Sequence, residues 1–504
     1  MKAGFFDAQQ VDIDADAADF VVIGSGAGGG AAARTLARSG ARVVVLEEGP
    51  LVATAELGRI ARTTMATLFR NQAKQTAFGR ATTPILQASC VGGGTLVNSA
   101  IVWRIPEAVL AGWHARFGLG DGLTAAALDA AYGKIEEEMS ARPVVEGDTA
   151  GRQDVHMRIG SERAKIEGRY LHRYERGCRG SGRCFHGCPY EAKQSTTVNY
   201  LRRAVEDGAA VYAHATVGRV VVEKGRAVAV TGSVPAATGS GRGRRTFRVA
   251  AKRAVIVAAS AIQSPNLLRR SGIRRPHLGD HFMAHPGTAV MAVYPNVVGA
   301  WTGASQGFEV LGLRDTVGVK LESINVPPEV AAARFPGAGR RLGAYIDRLD
   351  HVATWSVAVR AEAEGRIRPS RLFGDHVKYD LTANDIDRTR RGMKHLAEMH
   401  FLAGATEVVT GVYGMPEVLR SPDELSRYDQ ASVDPRDYSM VATHLFGGCR
   451  AGSDPAMSVV DPQLRVHGVD GLYVMDASVF PTNTGVNPQH GIMAVATVAS
   501  ERLC

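Results

Sequence analysis

Short apolar runs set between glycine-rich turns dominate the pattern of this chain. Residues 20–23 (Phe-Val-Val-Ile) form one such run, long enough for a strand buried on both faces of a parallel sheet. Small residues from Ala31 to Leu36 follow at helical spacing, and a second run, Val43 to Leu46, ends at Glu47. The order predicts a βαβ unit over 19–50. Residues 106–175 read as largely helical, with periodicity at 107–118 and 125–139. A helix over 194–209 leads into a short strand at 211–213, and alternation at 217–222 and 226–231 predicts a hairpin or meander. The run 254–258 and the segment 260–272 read as strand, turn and amphipathic helix stopped by Gly272. Across 290–440, strand-like runs such as 355–361 and 376–379 surround one clear helix at 385–403, which predicts a separate antiparallel sheet. The last 65 residues return to a buried strand, 472–475, ending at Asp476, then a loop and a helix over 491–502. No repeat interrupts the chain.

The turn inside the βαβ unit carries Gly24, Gly26 and Gly29 in the spacing G-x-G-x-x-G. The first glycine permits the tight turn, the second lets a pyrophosphate approach the backbone, and the third lets helix and strand pack closely. The helix N-terminus adds amide hydrogens and partial positive charge. Glu47, 23 residues beyond Gly24, is placed to accept hydrogen bonds from a ribose. Strand, helix and distal carboxylate together point to a dinucleotide, but leave FAD and NAD(P) equally open. A second glycine stretch, Gly92-Gly93-Gly94, reads either as backbone approaching a flat or phosphorylated group or as a tightly packed loop.

Length and composition add bounds. A chain of 504 residues, 45% hydrophobic and 22% charged, describes two or three globular domains. No apolar stretch reaches 18 residues, and the first 20 lack an apolar signal core, so the expectation is a cytoplasmic protein without a transmembrane segment; export alongside a partner stays open. The net charge of +9 is spread along the chain apart from Arg242, Arg244, Arg245, Arg248, Lys252 and Arg253, which read as a solvated hairpin with a basic tip behind the Gly/Ser-rich 238–241. No aromatics interleave with them, so no nucleic-acid partner is expected. Cys90, Cys449 and Cys504 stand apart, whereas Cys178, Cys184 and Cys188 cluster as C-x5-C-x3-C. Structural thiols, a disulfide, an iron–sulfur site, or zinc with His186 as a fourth ligand all remain open. No C-x-x-C-H motif attaches haem.

Taken together, Gly24 to Gly29 with Glu47, Gly92 to Asn98, the segments 260–272 and 277–286, and the block from His444 to Arg450 through Asp476 to Asn487 resemble the glucose-methanol-choline (GMC) family of FAD-dependent oxidoreductases. The match covers about half the chain and leaves 290–440 weakly recognisable. The resemblance implies an α/β fold: a Rossmann-like FAD domain from 1–105, 176–289 and 441–504, and an antiparallel-sheet substrate domain from 106–175 and 290–440. It implies that Gly93, Gly94, Thr95 and Asn98 pass close to the flavin ring, that the Val217 backbone meets the adenine, and that Asp476 and Ala477 contact ribityl and pyrophosphate.

It further implies a catalytic pair opposite the flavin, His444 and Asn487, 43 residues apart. An imidazole takes or shares the hydroxyl proton of an alcohol while the carbon-bound hydrogen leaves as hydride for flavin N5, and an amide beside it holds the alcohol oxygen. Asn487 in this position resembles cholesterol oxidase-like and bacterial alcohol dehydrogenase-like members. His490 is a possible pocket residue, while His281 and His285 read as structural. The implied partners are a small-molecule alcohol and either oxygen or another electron acceptor. The cysteine spacing also resembles the FAD subunit of bacterial glucose dehydrogenase complexes, where three cysteines hold a three-iron cluster, so an iron–sulfur dehydrogenase subunit serving a partner protein is one alternative. A non-catalytic flavin-binding protein is the other.

Overall fold

The computed structural model describes residues 2–14, 18–58, 60–236, 243–370 and 374–504. The predicted tip of the basic hairpin, 238–242, lies outside them. Among the described residues the apolar runs become the centre of an eight-stranded sheet. Gly4–Asp7, Ala210–Ala213, Val43–Leu46, Ala18–Ile23 and Arg245–Val257 lie side by side in parallel, followed by Arg226–Val234 and Thr216–Glu223 in antiparallel. Arg245–Val257 serves both halves: its first part pairs with the meander, and its last residues lie between Ala18–Ile23 and Leu472–Val474. Phe20, Val21, Val43, Val44, Val255 and Ile256 are all essentially inaccessible, as strands covered on both faces require. Helices Ala27–Arg38 and Gln489–Glu501 pack together over this sheet.

The antiparallel sheet expected from 290–440 forms, but it is larger than the sequence indicated. Among the described residues it has twelve strands, and its central member, Asp280–Val293, starts ten residues earlier. That strand pairs with Val352–Val359, Gly365–Ser370, Glu407–Val409 and Val441–Phe446. Thr76–Phe78, Thr83–Pro84 and Val441–Phe446 also join this sheet, although the sequence grouped their segments with the nucleotide domain. The central strand was hidden because His281, His285, Pro286 and Gly287 interrupt its apolar character. Pro286 is accommodated where the register with Val441–Phe446 shifts. Helix Ala383–Leu402, begun by a Thr382/Asp385 capping box, buries Ile386, Met393 and Leu396 beneath the sheet. The register that matters for chemistry is His285 opposite His444.

Candidate functional site

Three loops meet at the start of helix Ala27–Arg38. Gly24 and Gly29 lie where the motif demands: a β-carbon on Gly24 would sit 2.3 Å from the Ala258 carbonyl oxygen, and one on Gly29 2.0 Å from that of Gly24. Gly26, the N-cap, has its nearest neighbour, the Gly93 α-carbon, 3.9 Å from that position, and no side chain caps the helix. Gly93 adopts φ +50° and ψ −142°, which lets its loop touch Gly26. Beside it, Gly94 is exposed, with open space where a side chain would be. The motif's two unnamed neighbours prove important. Ser25 donates from its amide (3.1 Å) and hydroxyl (2.7 Å) to Glu47 Oε2, and its Oγ accepts from the Gly92 amide at 2.9 Å, tying fingerprint, carboxylate and second loop together. Gly28 faces the Met475 carbonyl, which a β-carbon would meet at 1.8 Å. In the motif both residues read only as spacers.

Glu47 is buried, and its other oxygen accepts from the Gly49 amide at 3.0 Å; burial pushes its carboxyl up in pKa while these bonds oppose the shift. The Ala215 amide donates to the Glu47 carbonyl at 2.7 Å, which brings Val217, two residues on, to the same end of the sheet. Asp476 accepts from the Ser260 amide at 2.9 Å, from the Ser264 hydroxyl and from the Ser478 amide at 2.8 Å, and burial raises its pKa too. The Ala477 carbonyl accepts from the Gly447 amide at 3.1 Å. Thr95 and Asn98 spend their side chains on the protein, Thr95 on the Gly92 carbonyl and the Thr196 amide, Asn98 on Gln489 and the Ala100 amide. The uncapped helix start, the space at Gly26 and the exposed Gly94 fit a dinucleotide's phosphates and ring.

His444 and Asn487 line one small cavity, together with His285, Lys320, Glu322 and Arg360. The Gly485 amide donates to His285 Nε2 at 2.9 Å, so His285 carries its proton on Nδ1, 3.2 Å from Nδ1 of His444. Resting His444 therefore holds its own proton on Nε2. Burial, with the Lys320 charge adding to it, pushes His444 down to about 3, and His285 lies well below the usual imidazole range for the same primary reason. His285, expected to be structural, is thus part of the cavity. His490 is not: it is inaccessible, bonded through Nδ1 to the Tyr174 hydroxyl and through Nε2 to Glu136 at 3.0 Å. His281 pairs with Glu364 at 2.6 Å.

Cys178, Cys184 and Cys188 surround a separate cavity with Arg173 and Lys193. Arg173 donates to Cys184 Sγ at 3.0 Å, and Lys193 clamps the carbonyls of Leu96, Asn98 and Cys184 at 2.6–2.8 Å. Burial raises the Cys184 thiol, but Arg173 and Lys193 outweigh it and bring it to about 7. All six cysteines are free thiols, so the disulfide alternative does not hold. Among the described residues no group of three His, Cys, Asp or Glu side chains is disposed to hold a metal ion, which leaves the tentative iron–sulfur ligands, and zinc with His186, without structural support. Through Lys193 the segment braces the end of the second glycine loop.

Comparison with known proteins matches residues 19–287 and 362–496 to the N- and C-terminal models of GMC oxidoreductases. A GMC-type oxidoreductase of Mycobacterium tuberculosis is 35% identical over 496 residues, covering 96% of this chain and 75% of the relative. A long-chain-alcohol oxidase of Arabidopsis thaliana is 28% identical, covering 96% and 66%. Among solved structures, formate oxidase of Aspergillus oryzae superposes with a TM-score of 0.75 at 16% identity, covering 97% of this chain and 98% of that one. No helix among the described residues is long and apolar enough to cross a membrane.

Proposed function

The chain belongs to the GMC oxidoreductase family, FAD-dependent enzymes acting on CH–OH donors, and on that premise we propose that it oxidises an alcohol to an aldehyde or ketone at the cavity shared by His444 and Asn487. FAD supplies the hydride acceptor, at N5; the protein's part is to hold the alcohol and take its proton. The nucleotide would be held by Gly24, Gly26, Gly29, Glu47, Gly93, Gly94, Val217, Asp476 and Ala477, with Thr95 and Asn98 bracing the loop. The substrate is held against the second sheet.

His444 is the proton acceptor. Its base-competent form has Nε2 bare, and reaching it gives up the 3.2 Å contact with His285 and leaves a buried N–H unpaired, a cost of about 1–3 kcal/mol. The observation that carries the reading is that two residues 43 positions apart, one on a strand and one in a loop, converge on one cavity whose imidazole is held neutral. Relatives named for alcohol oxidation support the substrate class.

The test is anaerobic titration of the FAD-bound protein with aliphatic, benzylic, sterol and sugar alcohols, following loss of flavin absorbance, repeated under air and with an artificial acceptor. At least one alcohol should bleach the flavin. His444→Ala should retain FAD and lose about 10²–10⁴ in kcat. Undiminished turnover in that variant would refute the role of His444, and failure of every alcohol would favour a flavin-binding protein without catalysis.

A further inference from the structure

Beside Asn487, in the wall of the same cavity, lies a buried ionic cluster that the alcohol chemistry does not require by itself. Lys320, on strand Val319–Ser323, is 4% exposed, as is Glu322, and Glu309 on Phe308–Val310 is fully buried. Glu309 and Glu322 are cross-strand neighbours, an arrangement that repels unless a cation sits between them. Lys320 does so. Its ammonium reaches Glu309 Oε2 at 2.8 Å, Glu322 Oε1 at 2.7 Å and Asn487 Oδ1. Glu309 is further held by Trp103 Nε1 and Arg169 Nε, both at 2.8 Å.

An ammonium has three donors and no acceptor. All three of its hydrogens are engaged here, which leaves Lys320 nothing with which to act on a substrate. A donor-only partner also admits just one orientation of the Asn487 amide: Oδ1 toward Lys320. The opposite face of the amide is then its NH₂, which has no protein acceptor among the described residues and belongs to a residue lining the cavity. Without Lys320 the amide would be free to present either face.

We propose that Lys320, itself held by Glu309 and Glu322, is a positioning residue that fixes Asn487 as a hydrogen-bond donor to the substrate oxygen. The inference rests on the reading above that the alcohol binds between His444 and Asn487. The arrangement favours an oxygen gaining negative charge as its proton departs, because an NH₂ group strengthens its bond to such an oxygen and a carbonyl would oppose it.

A double-mutant cycle tests this. Lys320→Met is made in the wild-type and Asn487→Ala backgrounds and assayed with the best alcohol of the panel. Binding of trifluoroethanol, an alcohol that resists loss of hydride, is measured in parallel by calorimetry. Lys320→Met should keep its FAD, lower kcat/KM by about 10–100-fold and weaken trifluoroethanol binding, yet cost less than about threefold once Asn487 is absent. Lys320→Arg, which keeps the donor, should recover part of the loss. If Lys320→Met does not fold, Lys320→Met/Glu322→Gln removes the stranded carboxylate and serves in its place. Losses that multiply in the double variant, or unchanged trifluoroethanol binding in Lys320→Met, would overturn the inference. Wild-type kcat/KM in Asn487→Ala would instead overturn the placing of the alcohol on which it rests.

Discussion

Replacing Gly28 and Gly26 separately should divide two roles that the fingerprint merges. A β-carbon on Gly28 would stand 1.8 Å from the Met475 carbonyl oxygen and 2.9 Å from its carbon, so helix Ala27–Arg38 and the segment before Asp476 must separate by more than 1 Å. Neither side is a flexible side-chain end; both are backbone within the central core. Overpacking of this kind costs about 1–3 kcal/mol, and with backbone on both sides the upper end applies, about 3 kcal/mol. Gly26 differs in every respect. Its φ of −68° and ψ of −158° suit alanine, and the nearest atom is 3.9 Å away. Gly26→Ala should therefore cost about 1 kcal/mol or less in stability, the difference between glycine and alanine at an N-cap. Its methyl would instead intrude where phosphate approaches, weakening FAD binding by about tenfold or more, or about 1.4 kcal/mol. Thermal unfolding of the FAD-free variants, with FAD titration by fluorescence quenching, separates the two. The reasoning fails if FAD-free Gly28→Ala melts within a degree of wild type, or if Gly26→Ala is the less stable of the pair.

Two further outcomes are expected. His285, His400, His444 and His490 are all held below the ordinary imidazole range by burial, His400 and His444 at about 3. Well above pH 6.5 neither folded nor unfolded imidazoles bind protons; as pH drops through 6.5 the unfolded chain takes protons up while His400 and His444 stay neutral in the fold, so each of these two removes stability at a rate approaching about 1.4 kcal/mol per unit of falling pH. Urea midpoints at saturating FAD should drop between pH 7.5 and 5.5, partly offset by proton uptake at the buried Glu47, Asp154 and Asp476, and midpoints that rise towards pH 5.5 would contradict the dominance of these rings. For the cysteine brace, the purified protein should show flavin bands without stoichiometric iron or zinc; a broad additional shoulder with bound iron would mean that Cys178, Cys184 and Cys188 rearrange around a cluster.

The parallel strands were legible because burial on both faces leaves an uninterrupted apolar run, as in Phe20 to Ile23 and Val43 to Leu46. The second sheet was legible in kind but not in extent. Its central strand carries His281, His285 and Pro286 at positions where polar residues usually mark a loop. Lys320 and Glu322 were not legible at all: alternating with Val319 and Leu321, they read as the solvated face of a strand, and only the opposed Glu309 and the loop of Asn487 reveal that this face is covered. Gly28 escaped notice because its constraint comes from Met475, nearly the whole chain away. Periodicity reports the environment of a segment, whereas the site depends on which distant segments meet.

The position of Leu472–Val474 beside Arg245–Val257 also has a consequence in time. The carbonyl of Met475, against which the fingerprint helix seats, is synthesised some 450 residues after the strand Ala18–Ile23. At about 5–20 residues per second, translation leaves roughly 20–90 s in which that end of the sheet has no closing strand. During synthesis the nascent chain therefore presents an unfinished apolar edge. Pairing of Leu472–Val474 is what ends that exposure, so termination before this strand should yield aggregation rather than a smaller, partly active enzyme.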